Sequence, residues 1–185
     1  MNEQYKVQVQ NLVDDLKAVF THAGLGGEAG EYKLLTQSFL YKFLNDKFLY
    51  EAQNVDSENT YEHLVSMSEE DYDWLLEDIG TSTAWMKPNQ FIETLHRKQN
   101  ESDFYETFEN TLNQIAIDNN DIFSVHTDEN TTVRLFNERL ITDIIPDSSK
   151  RNEVAKSIIN LLARVKFDEA IFPKDLTFSL LSLST

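Results

Sequence analysis

Gly24, Gly26, Gly27 and Gly30 are four of the chain's five glycines, and a long apolar segment follows them at once. Glu31-Tyr32-Lys33 comes first, then Leu34, Leu35, Phe39, Leu40, Phe43, Leu44 and Phe48, with Lys42, Asp46 and Lys47 set between them. Glycine reaches positive φ at little steric cost and weakens a helix interior, so the cluster reads as a flexible joint. The segment after it reads as a helix over residues 31–51. Tyr32, Leu35, Phe39, Phe43 and Tyr50 line one side of that helix, and Leu40, Leu44 and Phe48 widen the apolar face. A face this broad must pack against more than one neighbour.

The flanking segments supply those neighbours. Val9, Leu12, Val13, Leu16, Val19 and Phe20 fall at helical spacing, which predicts a helix over residues 2–22. Tyr61, Leu64 and Val65 mark a short helix. Ser68 stands as N-cap before Glu69-Glu70-Asp71, with Trp74, Leu75 and Ile79 continuing to Gly80. Pro88 suits a first helical position ahead of Phe91, Ile92 and Leu95. Phe104, Phe108, Leu112 and Ile115 predict a helix over 103–117, and Ser148 or Ser149 caps another carrying Val154, Ile158, Leu161, Leu162 and Val165. The pattern predicts an all-α, irregular bundle of about seven helices, with one short hairpin or extended piece near residues 122–136. Residues 1–166 form the helical domain. Residues 167–185 are expected to be a tail or the start of a linker to a catalytic domain, since they stop at Ser184-Thr185 without a capping element, as a fragment of a longer chain would.

Composition narrows the chemistry. Apolar residues make up 41% of the 185 and Phe alone numbers 12, enough for a packed core. The formal net charge is −16, so DNA contact needs a local basic patch. With no cysteine, disulfides, thiolate nucleophiles and thiolate metal sites are excluded together. The N-terminal residues show no apolar leader core, and no apolar run nears the roughly 20 residues that span a bilayer. A cytoplasmic, membrane-free location is expected.

Each candidate site has a plain structural alternative. Gly24-Leu25-Gly26-Gly27-Glu28-Ala29 matches a loose dinucleotide-binding pattern. That mechanism needs a strand before the glycines, and here a helix precedes them, with Glu28 and Glu31 facing any phosphate. His22, His63, His96 and His126 lack metal-ligand spacing and read as surface or capping residues. Asp118-Asn119-Asn120-Asp121 lacks the glycine and terminal glutamate of a calcium loop and reads as a turn. Glu69, Glu70, Asp71, Asp73, Glu77 and Asp78 form an acidic helix surface. Basic residues gather at Arg97 and Lys98 beside His96, at Lys150 and Arg151 with Lys156, and at Arg164 with Lys166. These are the candidates for contact with DNA or a partner. Each also suits a helix C-terminus. No serine or threonine sits in a nucleophile elbow.

Asp15-Leu16-Lys17-Ala18-Val19-Phe20, the glycine joint, and the run from Glu31 to Phe48 together are similar to the N-terminal helical domain of the modification (methyltransferase) subunit of type I restriction–modification systems. The signature positions are Glu31, Tyr32, Lys33, Lys42 and Asp46. Asn45-Asp46 stands where the family carries Ser-Asp, and His22-Ala23-Gly24-Leu25 replaces its Leu-Arg before the loop. The segments 104–117 and 150–165 resemble later helices of the same domain. The resemblance implies an assembly and DNA-clamping domain, with site-specific adenine N6-methylation performed by the full subunit. Its implied partners are a specificity subunit, a second modification subunit and a restriction subunit, with DNA bound only in the complex. The family's catalytic domain follows this one and binds S-adenosylmethionine. No cofactor-binding or catalytic residue is expected in this chain, because its prolines, Pro88, Pro146 and Pro173, form no Pro-Pro pair and its glycines end at Gly80. Acidity keeps a second expectation open: a free-standing helical protein-binding module, acting as a DNA mimic or an adaptor.

Overall fold

A computed structural model describes residues 3–123 and 135–168. Among them the chain is all-helical, as the periodicity predicts, with α1 (Glu3–His22), α2 (Ala29–Val55), α3 (Tyr61–Ser66), α4 (Glu69–Ile79), a 3-10 turn (Pro88–Gln90), α5 (Ile92–Lys98), α6 (Phe104–Asp118), α7 (Asn120–Phe123), α8 (Leu140–Ile144) and α9 (Ser148–Arg164). The count exceeds the expected seven because of the very short α7 and α8. Most of the stretch expected to hold a hairpin, 124–134, lies outside the described residues, as does the tail beyond 168.

Two helices organise the bundle. α2 packs against α1, α4, α8 and α9, and α9 against α1, α5, α6 and α8. Enclosure from several sides explains the middle of α2: residues 41 to 46 are all buried, polar and apolar alike. A helix buried all round cannot show a clean apolar stripe, and the face assigned from sequence is shifted accordingly. Tyr32 is 66% exposed, because no neighbour covers that face of the first turns. Leu35 and Phe39 are half-buried, while Leu34, Tyr41, Leu44, Phe48 and Ala52 form the sealed core side. On α4 the inward residues are Tyr72, Leu75 and Ile79, and Trp74 faces out.

Side chains fasten the connections. Ser68 caps α4 as expected, accepting from Asp71 N at 3.2 Å. α9 is capped by Asp147, one residue earlier than predicted: its carboxylate accepts from Ser149 N at 3.0 Å and from Ser149 Oγ at 2.6 Å. A carboxylate competes well for that position because it also meets the positive end of the helix. The helix predicted from Pro88 is split, because Phe91 turns to extended backbone and buries its ring completely. The loop before it is held by Tyr72, whose hydroxyl donates to Met86 O at 2.6 Å, and by Tyr41, which donates to Gln90 O at 2.6 Å. Asn119 pairs with both backbone groups of Trp85, accepting from its N at 2.7 Å and donating to its O at 2.8 Å.

Candidate functional site

The glycine joint forms a tight turn between two helices. Gly24 and Gly27 have φ of +88° and +78°, the left-handed region where a side chain is strained. Leu25 N donates to Phe20 O at 2.9 Å, and Gly27 N donates to Glu31 Oε2 at 2.6 Å. Glu31 therefore occupies a donor that a phosphate would need. The element before the turn is α1, so the strand that dinucleotide binding requires is not there. Gly30 lies inside the first turn of α2 and is no part of the joint.

The polar residues buried in the middle of α2 make a concentrated polar site. Lys42 Nζ lies 2.8 Å from Asp46 Oδ2, one helical turn away. The same oxygen accepts from Phe167 N at 2.7 Å, and Oδ1 accepts from Asn45 Nδ2 at 2.8 Å. Asn45 Oδ1 in turn accepts from Ile92 N at 2.9 Å, satisfying the first N–H of α5. Two segments distant in sequence thus hang on two adjacent residues of α2. Phe167 is 2% exposed, with its ring 5.5 Å from Phe39 and 5.6 Å from Lys42 Nζ. The packed body therefore extends at least to Phe167, into what the sequence reads as tail. Burial pulls the Lys42 ammonium below the ordinary lysine value; Asp46 opposes that shift and Lys166 adds to it.

An open cleft of about 930 Å³ lies over this pair, lined by Tyr5, Leu49, Tyr50, Tyr61, Val165 and Lys166 among others. At its edge the Tyr5 hydroxyl donates to Asp168. Arg97 stacks on Tyr61 at 4.9 Å and reaches Glu93 at 3.0 Å and Glu62 at 3.8 Å.

The predicted contact residues do not gather in one place. Lys98 sits in the last turn of α5 and Lys150 in the first turn of α9, both exposed, and Arg164 is exposed at the end of α9. Arg151 donates to Ile145 O at 2.9 Å and Pro146 O at 3.3 Å, closing the end of α8. Lys166 alone of the six lines the cleft. Of the signature residues, Lys42 and Asp46 are buried partners, Glu31 closes the joint, and Tyr32 and Lys33 face solvent.

His96 pairs with Asn160 Oδ1 at 3.0 Å, linking α5 to α9, and His22 and His63 are exposed. His126 lies outside the described residues. No described group of His, Cys, Asp or Glu has metal-binding convergence, and no described helix is long and apolar enough to cross a membrane. Asp118 is anchored by Lys87 at 3.1 Å, Gln90 at 2.9 Å and Gln114 at 2.8 Å, so this turn is knit into the loop network.

Sequence reasoning missed Glu109. It is 6% exposed on α6 and accepts from Ile141 N and Thr142 N at 3.1 Å each and from Thr142 Oγ1 at 2.8 Å. It caps α8 from across the bundle, a contact without a local sequence signal. Compared with known proteins, the chain matches no family model, no curated protein and no solved structure.

Proposed function

We propose that this chain is the N-terminal assembly and DNA-clamping domain of a type I restriction–modification modification subunit, working in the cytoplasm beside a catalytic domain that carries the chemistry. One observation carries the reading. Lys42 and Asp46, two signature positions of the resemblance, form a buried pair that grips the backbone of Phe167. In the family this domain resembles, that region leads toward the methyltransferase domain. A buried ion pair contributes little net stability and can serve specificity instead. Here it would fix the course of the backbone at Phe167. The helical surface suits docking, and adenine N6-methylation, S-adenosylmethionine binding and the contacts with specificity, restriction and second modification subunits belong to the assembled enzyme.

Coexpression with a type I specificity subunit tests the reading. A complex of defined stoichiometry through size-exclusion chromatography is expected, and separate elution of the two would count against it. Isothermal calorimetry of the chain with S-adenosylmethionine should give no heat of binding; micromolar binding would overturn the assignment of the glycine turn.

A second reading has its own support. α4 presents Glu69, Glu70, Asp71, Asp73, Glu77 and Asp78 to solvent around Trp74, which is 63% exposed. An aromatic anchor within an acidic rim suits a basic protein partner. A captured partner that short duplex DNA displaces from this chain would favour the DNA-mimic form of that reading.

A further inference from the structure

Between Lys47 and Lys87 the chain carries no lysine or arginine, yet ten of its 32 carboxylates fall in that stretch. Six of the ten, Glu69, Glu70, Asp71, Asp73, Glu77 and Asp78, lie exposed on α4. None of the six forms an ion pair among the described residues. Helix stability does not ask for this pattern. The first-turn acids suit the positive end of α4, but Glu77 and Asp78 crowd its negative end, where no basic residue stands. Asp73 repels Glu69 and Glu77 across i, i+4 spacing. A helix opposed by its own charges gains from a bound cation.

Trp74 sits in the middle of the same face. Glu70, Asp71, Glu77 and Asp78 stand three or four residues to either side of it, the spacing at which helical neighbours meet. Trp74 is 63% exposed, and its indole N–H meets no acceptor among the described residues, whereas Trp85 donates its own to Gly80 O at 2.7 Å. α4 packs on α2 and turns Tyr72, Leu75 and Ile79 inward, so this side stays uncovered by any described residue.

The occupant must bring positive charge. A second copy, of net charge −16, would be repelled. Residues 124–134 and 169–185 of this chain each carry two carboxylates against a single lysine or arginine, so neither supplies it. Lysine and arginine both answer the carboxylates. Only the planar guanidinium also stacks flat on an indole while aiming N–H groups at carboxylates beside the ring.

We propose that the outer face of α4 docks an arginine-bearing segment of another protein, one guanidinium lying on Trp74 with its N–H groups on Glu70, Glu77 or Asp78. The docking rests on the acidic-surface reading above; the choice of arginine over lysine goes beyond it.

A capped tetra-arginine peptide and its tetra-lysine counterpart are the probes. Each is titrated into the full chain at physiological salt while NMR follows the indole N–H signals of Trp74 and Trp85, assigned through Trp74→Phe. The arginine peptide should shift the Trp74 signal saturably and leave that of Trp85 in place. It should bind about threefold more tightly than the lysine peptide, the ratio a stacked guanidinium supplies. Glu77→Gln combined with Asp78→Asn should weaken binding about tenfold. The melting temperature should hold or rise in that variant, because both carboxylates oppose the helix. Asp14→Asn combined with Asp15→Asn removes the same charge from α1 and should change binding less than about twofold, since salt screens distant charges. Equal affinity of the two peptides at Trp74 overturns the choice of arginine and leaves a basic partner standing. No saturation below roughly 10 mM with either peptide overturns both. An equal loss from the α1 variant, or parallel shifts of both indoles, would mean attraction to net charge alone and would sink the docking site. A fall in melting temperature for the Glu77 and Asp78 variant would sink it too, since the fold itself would then be using those carboxylates.

Discussion

Gly30 and Ile144 lie so close that a Cβ built on the glycine would stand 2.7 Å from Ile144 Cγ2. The contact seats the first turn of α2 directly on α8, and two opposed effects decide what a methyl group would do there. Alanine favours a helix over glycine by up to about 1 kcal/mol. Overpacking costs about 1–3 kcal/mol, and Ile144 is β-branched, so its Cγ2 cannot swing aside on a flexible stem. Gly30→Ala should therefore lose about 1 kcal/mol in urea unfolding. In an Ile144→Ala background the clash is gone, and the same substitution should become stabilising. Equal effects in both backgrounds would mean that the contact does not constrain α2.

Lys42 and Asp46 are coupled more tightly than their surface equivalents would be. Lys47 and Glu51 form the same i, i+4 pair one turn on, part-buried, and fully exposed pairs of this kind contribute only about 0.3–0.5 kcal/mol. Removing one partner of the buried pair strands a charge, at a cost of about 3–5 kcal/mol. Lys42→Met and Asp46→Asn should each destabilise on that scale. The double variant should fall short of the sum by at least about 1 kcal/mol, because it leaves no orphaned charge. Strict additivity in the cycle would show that the two groups act independently.

How much of this was legible beforehand follows from the range of each interaction. α1, α6 and α9 declared themselves because each presents one apolar stripe, and periodicity reports a stripe. α2 misled over its faces for the opposite reason: it is enclosed at residues 41 to 46, so burial and hydropathy part company there. Tyr32 looked like core by type and sits in solvent for want of a neighbour. Gly30 looked like loop by composition, yet it is absent a side chain because another helix needs the space. Lys42 and Asp46 stand one helical turn apart in the sequence, but the pair's grip on Phe167 spans 121 residues and leaves no local trace. Arg151 and Glu109 show the same limit, since both satisfy the ends of a helix five residues long.

That short helix gives the next expectation. α8 is too short to be stable alone, and its first N–H groups are met by Glu109 from α6. Glu109→Ala leaves two backbone donors and the Thr142 hydroxyl without their acceptor, at about 1–3 kcal/mol for the orphaned groups. Glu109→Gln keeps one acceptor oxygen and should cost less. Hydrogen exchange should accelerate at Ile141 and Thr142 in the alanine variant well before global unfolding. Protection unchanged there would mean that water replaces the carboxylate at no cost.

Asp147 supplies a pH signature with a definite sign. Hydrogen bonds from the Ser149 hydroxyl and from its backbone N–H hold the carboxyl below the ordinary aspartate value of 3.8. Burial raises the Asp118 carboxyl, but donors from Gln114, Gln90 and Lys87 outweigh it, and its net shift is also downward. A lowered folded value means that the unfolded chain takes up protons first as the pH falls. The contribution of each group is complete above 3.8 and is lost as the pH drops through its folded value. The raw curve also records relief of self-repulsion in a chain of net charge −16, so a single profile is ambiguous. Asn caps a helix about as well as Asp and does not titrate. The difference in urea midpoint between the parent and Asp147→Asn should therefore stay constant from about pH 7 to about pH 5 and shift against the parent toward about pH 2.5. A difference that stays flat across the whole range would show that the Asp147 carboxylate gains nothing from the N-terminus of α9.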